Sequence, residues 1–114
     1  MNVNEREVQG VLILGLSGDM MGGPEAQVLN ERLRKLAEAG KRAIVVDLGR
    51  VKLINSSGLG LLIAGLTVVR NKGGDLRLAS PSAKVEKLLE VTKLNKVFRS
   101  FPTAEEAVQS FQTN

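Results

Sequence analysis

Val11-Leu12-Ile13-Leu14-Gly15-Leu16-Ser17 is apolar at nearly every position. A strand with one wet face would alternate; a near-continuous run of this length says that both faces are covered. Ala43-Ile44-Val45-Val46-Asp47-Leu48 has the same buried-strand character. Between the two, Pro24 suits the first position of a helix and Glu25 complements its dipole. Leu29, Leu33, Leu36 and Ala37 then fall at i, i+4, i+7 and i+8, one apolar face, and Gly40 reads as the residue just past the helix end. Strands alternating with helices in this way predict an α/β fold. The expectation is a mixed, mostly parallel β-sheet of four to five strands, joined by right-handed crossovers and layered against about four α-helices.

The remaining segments fit that frame. Glu5 to Gln9 reads as an edge strand that turns at Gly10 into a hairpin with the first apolar run. Asp75-Leu76-Arg77-Leu78-Ala79 alternates like a strand with one polar face. Ser80-Pro81 reads as N-cap and first helical position of a helix that buries Val85, Leu88 and Leu89. Val97-Phe98-Arg99 reads as a short strand. Thr103-Ala104-Glu105-Glu106 is a capping box, which opens a last helix with Ala107, Val108 and Phe111 inward. Gln112 to Asn114 are expected to fray. A chain of 114 residues is ordinarily one domain, here residues 1–114.

After Leu48 comes a turn, and then Asn55-Ser56-Ser57-Gly58-Leu59-Gly60 opens an apolar helical run to Val69. Asn and Ser cap helices because their side-chain oxygens accept orphan backbone N–H groups, and capping alone would account for them. A hydroxyl at that point also sits at the positive end of the helix dipole, where a phosphate is tolerated. Gly58, without a Cβ, lets another backbone or an anion come close. The helix carries Leu59, Leu61, Leu62, Ile63, Leu66, Val68 and Val69, so it is apolar on more than one face. Met20 and Met21, in the loop Gly18 to Gly23, have two readings: packing over the sheet edge, or soft contact offered to a partner.

Asp47-Leu48, Val51, Ile54 and Asn55-Ser56-Ser57-Gly58-Leu59-Gly60 together resemble the signature of STAS domains. The likeness is strongest to the bacterial anti-sigma-factor antagonists and extends from about Val8 to Phe111. It includes Leu16-Ser17-Gly18-Asp19 and Gly73-Gly74-Asp75-Leu76-Arg77-Leu78. The resemblance implies a STAS-type fold and a phosphorylation site at Ser56, with Ser57 as the alternative acceptor. It implies a partner-binding surface comprising Asp19, Met20, Met21, Asn55, Ser56, Ser57, Gly58 and Leu59. The implied partners are an anti-sigma factor that is also a serine kinase, and a serine phosphatase. In the family Asp usually precedes the two serines; here Asn55 stands there. STAS domains also serve as constitutive adaptors in lipid-transport ATPases and as parts of anion transporters, which leaves a permanent docking role open. A third role is sensing small anions or nucleotides at the helix N-terminus.

Composition narrows the remaining options. The chain has no Cys and no His, which removes thiolate chemistry and the commonest general base and metal ligand. Gly58-Leu59-Gly60 lacks the third glycine of a dinucleotide fingerprint and the lysine of a phosphate loop. Asp19, Asp47 and Asp75 lie at strand and loop junctions and read as solvated or capping rather than metal-binding. The chain is therefore expected to be no enzyme and to need no cofactor. Its net charge of +4 comes from scattered basic residues without aromatic platforms, against direct nucleic-acid binding. The longest apolar run is broken by Gly65 and Thr67 and stops at Arg70, too short for a membrane span. A cytoplasmic protein, monomeric or weakly homodimeric, is expected.

Overall fold

The computed structural model describes residues 1–112. The fraying expected at the carboxyl end and the dipole role of the Glu25 side chain lie outside the described residues. The elements run β1 (Asn2–Val8), β2 (Val11–Ser17), α1 (Pro24–Glu38), β3 (Ala43–Arg50), α2 (Ser56–Asn71), β4 (Asp75–Ala79), α3 (Ala83–Val91), β5 (Ser100–Phe101) and α4 (Ala104–Gln112). The strands form one sheet in the order β1-β2-β3-β4-β5. β1 pairs antiparallel with β2, through a turn at Gln9 and Gly10. The β2-β3, β3-β4 and β4-β5 pairs are all parallel.

Strand alternation sorts the core onto two faces. Leu12, Leu14 and Leu16 of β2, Ile44, Val46 and Leu48 of β3, and Leu76 and Leu78 of β4 pack with α1, α2 and α3. Val11, Ile13, Val45 and Ala79 face the other way, onto Ala104, Ala107 and Val108 of α4. Both faces of β2 and β3 are thus covered, which is why those strands are so uniformly apolar. Leu29, Leu33, Leu36 and Ala37 of α1 are all buried, as their spacing requires. The helix ends in paired backbone bonds, Gly40 N to Ala37 O and Lys41 N to Leu36 O, with Gly40 at φ 91°. The Thr103 cap also forms, its hydroxyl accepting from Glu106 N at 3.1 Å.

Local expectations are corrected: the edge strand is Asn2–Val8 rather than Glu5 to Gln9, because Gln9, at φ 51°, already belongs to the turn. The short strand is Ser100–Phe101, not Val97-Phe98-Arg99. Lys93 takes a left-handed conformation (φ 62°), and the N–H groups of Val97 and Phe98 both donate to Leu94 O, so that segment is coiled. Phe98 is apolar because it plugs the larger core, not because it lies in a strand. The cap of α3 is Ser82, whose Oγ accepts from Val85 N at 3.2 Å, rather than Ser80. Ser80 instead gives its N–H to Phe101 O across the β4-β5 edge, and its φ of 56° turns the chain before the helix begins. Of the three residues assigned to the buried side of that helix, Val85 and Leu89 are buried and Leu88 only half-buried.

The exposed edge strand β1 is tied to α1 by a forked ion pair, Arg32 Nε and Nη2 to the two Glu5 carboxylate oxygens at 2.6 and 2.8 Å. The hydrogen bond from Arg32, aided by its charge, holds the Glu5 carboxyl below its ordinary value despite an opposing effect of burial. A carboxyl whose folded pKa is depressed contributes stability above its unfolded value, and that contribution fades as pH falls through the folded value. Glu5→Gln should therefore melt slightly below the parent at neutral pH. Thermal melts recorded well below the ordinary glutamate range should show the two curves converging.

Candidate functional site

The site is built where the β2-α1 loop folds back over the start of α2. Met20 N donates to Leu53 O at 2.8 Å, Asn55 N donates to Met20 O at 3.2 Å, and Met20 and Ile54 form a short parallel bridge. The loop therefore lies against residues 53–55 as an extra, one-residue strand. Gly58 is what lets it lie there. A Cβ at that position would sit 2.2 Å from Met20 O and 3.1 Å from the Ile54 Cγ2 methyl.

Asn55 is the N-cap of α2, and its amide has two uses. Its Oδ1 accepts from Gly58 N at 2.9 Å, the capping bond. Its Nδ2 donates to Met21 O, also at 2.9 Å, which stitches the loop to the helix. A carboxylate can do the first and not the second, because it carries no donor at neutral pH. Asn55→Asp should keep the cap but set an acceptor against the Met21 carbonyl. We expect a loss of about 1–2 kcal/mol in urea unfolding, with faster amide exchange confined to Met20, Met21 and Asn55.

Ser56 occupies the first helical position and is exposed, with its side chain free of the cap that Asn55 provides. The first turn of α2 contains no acidic residue, so nothing there offsets the positive end of the dipole. Ser57 is also exposed at its surface, but its Cβ is backed by the loop: a Cβ on Gly22, which has φ 86°, would lie 2.6 Å from it. Asp19 and Met21 are exposed, Met21 by 49%. Among the described residues Asp19 has no ion-pair partner.

The eight residues expected to meet a partner are thus brought together, but not all at the surface. Met20 is fully buried and Leu59 is 5% exposed, both within the larger core, and Gly58 is buried beneath the loop. Their assignment to a contact surface is corrected: they hold the site from below, while Asp19, Met21, Ser56 and Ser57 present it and Asn55 is half-buried between. Of the two methionines, Met20 takes the packing role and Met21 is the exposed one. Leu53, 41% exposed beside Lys52, belongs to the same surface and was not singled out. An apolar residue in a turn between a lysine and a cap is the sequence signal that could have found it.

The profile described as STAS domain matches residues 2–107. The anti-sigma-B factor antagonist of Bacillus subtilis is 28% identical over 108 residues, covering 95% of this chain and 97% of its own. The crystal structure of a Thermotoga maritima protein superposes with a TM-score of 0.89 at 25% identity, over 97% of this chain and 95% of the other. SpoIIAA, solved in unphosphorylated and phosphorylated forms, has the same fold, with TM-scores of 0.76 and 0.75 at 17% and 18% identity. The unphosphorylated form covers 99% of this chain and 100% of its own, and the phosphorylated form 96% and 99%. No helix among the described residues is long and apolar enough to cross a membrane.

Proposed function

This chain belongs to the STAS domain family, and from that membership we propose that it is an anti-sigma-factor antagonist switched by phosphate on Ser56. Unmodified, the surface around Ser56 and the Met21 loop binds an anti-sigma factor that is also a serine kinase, and the sigma factor is released. That kinase transfers the γ-phosphoryl group of ATP to the Ser56 hydroxyl, leaving ADP. A serine phosphatase hydrolyses the phosphoester and returns the protein to its binding form. The chain acts by binding and does no chemistry of its own.

The observation that supports this reading best is the exposure of Ser56 at the uncapped side of the first turn, with its neighbour Asn55 performing the cap. A phosphate there gains a favourable dipole and displaces no structural bond. Ser57, which lies beside the Gly22 turn, is the alternative acceptor. With Asn55 in place of Asp, the position before the phosphate carries one negative charge fewer, so the modified state is better tolerated electrostatically than with Asp there. Incubation with the kinase and ATP, followed by intact mass, tests the assignment. One phosphate should be gained by the parent and by Ser57→Ala, and none by Ser56→Ala. A gain that survives Ser56→Ala would overturn it.

A further inference from the structure

We propose that the groove between α3 and the loop joining β3 to α2 seats an acidic amphipathic helix of the protein partner, a docking contact that rests on the switch reading above. The groove has a volume of about 280 Å³. Its apolar walls are Leu53 and Ile54 on one side and Leu88 and Val91 on the other, with Val85 buried beneath. Val91 is 68% exposed and Leu53 41%, and the two line the same groove.

Charge identifies the occupant. Lys52, Lys84 and Lys87 rim the groove, and no acidic residue lines it. Among the described residues none of the three lysines is in an ion pair. Helix α3 is segregated: Lys84, Lys87, Leu88 and Val91, at i, i+3, i+4 and i+7, face the groove, while Glu86 and Glu90 line a different cleft. An apolar trough with a cationic rim matches a helix bearing apolar residues on one side and carboxylates flanking them. A second copy of this chain fits poorly, because its net charge of +4 opposes the same lysines. A lipid surface meets a protruding face, and this one is recessed between two walls.

The groove also adjoins the switch. Leu53 and Ile54 lead directly into Asn55 and Ser56. A carboxylate-bearing segment lying on them meets a phosphate on Ser56 as a like charge, which supplies the repulsion the switch needs.

The test uses the whole chain and a synthetic acidic amphipathic helical peptide, with a lysine-for-glutamate version of it as control, read by amide chemical shifts. Saturable shifts at Leu53, Leu88 and Val91 are expected with the acidic peptide alone. Lys84→Glu with Lys87→Glu should weaken binding at least about tenfold, and the lysine peptide should then bind that variant instead. Val91→Asp, at an exposed position and with an unchanged melting temperature, should weaken it as well. No shifts, equal shifts with both peptides, or lysine-dependent sedimentation with phosphatidylserine vesicles in place of peptide binding would each overturn the proposal. The peptide titration involves no kinase, so a failure here leaves the Ser56 assignment standing, and a failure of phosphorylation leaves the groove standing.

Discussion

Gly58→Ala will lower the melting temperature by about 10 °C, whereas Gly60→Ala, two residues along the same helix, will raise it. The added methyl at Gly58 would sit 2.2 Å from the Met20 carbonyl oxygen and 3.0 Å from its carbon. Both are backbone atoms, so no rotamer change relieves the clash. Either the loop lifts off α2 or the helix start shifts. Lifting the loop breaks the Asn55 N–H bond to Met20 O and the Asn55 Nδ2 bond to Met21 O, and it uncovers Met20 from the core. Overpacking and two lost hydrogen bonds together cost about 3 kcal/mol, and for a chain of this length that corresponds to about 10 °C. Gly60 has no atom within 4 Å of the position a Cβ would take. There alanine only removes glycine's backbone entropy, worth about 0.5–1 kcal/mol in a helix. Scanning calorimetry on the two variants decides the matter. Equal melting temperatures would mean that the loop does not close on the helix.

The contrast between those glycines shows where sequence reasoning runs out. Strand and helix alternation was legible because β2 and β3 are buried on two faces and α1 on one, and burial of that kind writes a period into the residues. The caps at Asn55 and Thr103 were legible for a similar reason: they act over three residues, within one turn. Val97-Phe98-Arg99 misled because one buried aromatic in a coiled segment has the composition of a short strand; only the left-handed Lys93 and the ladder bond from Leu78 N to Arg99 O set the strand's true start. The second use of Asn55 spans 34 residues to Met21, and nothing local records it. The same distance separates Met20 from the Ile54 it pairs with, which is why two adjacent methionines with identical side chains could not be told apart until the loop was placed. The grouping of the candidate site could be read; which of its members point outward could not.

Phosphorylation of Ser56 should weaken binding to the anti-sigma factor by more than a hundredfold while moving the melting temperature by no more than about 3 °C. The two halves of that statement have different causes. Phosphate adds about −1.5 to −2 charges at neutral pH. On the scaffold those charges meet the amino end of α2, which has no acidic residue in its first turn, and a capping bond made by Asn55 that the phosphate does not touch. The local effect is a mild stabilisation within the range of helix-dipole interactions, under about 1 kcal/mol. At an interface the same charges must be stripped of water and set against a surface shaped for a hydroxyl. Disrupting a close polar contact in this way costs roughly 3 kcal/mol, which is more than two powers of ten in affinity. Calorimetric titration of the parent and the phosphorylated protein against the anti-sigma factor, with melting curves for both, measures each half separately. Ser56→Asp should reproduce part of the affinity loss with one charge, and Ser57→Asp less, since Ser57 is backed by the Gly22 turn. Unchanged affinity of Ser56→Asp would remove the charge mechanism. A melting temperature that falls by several degrees on phosphorylation would show instead that the modification works by loosening the α2 start and the Met21 loop.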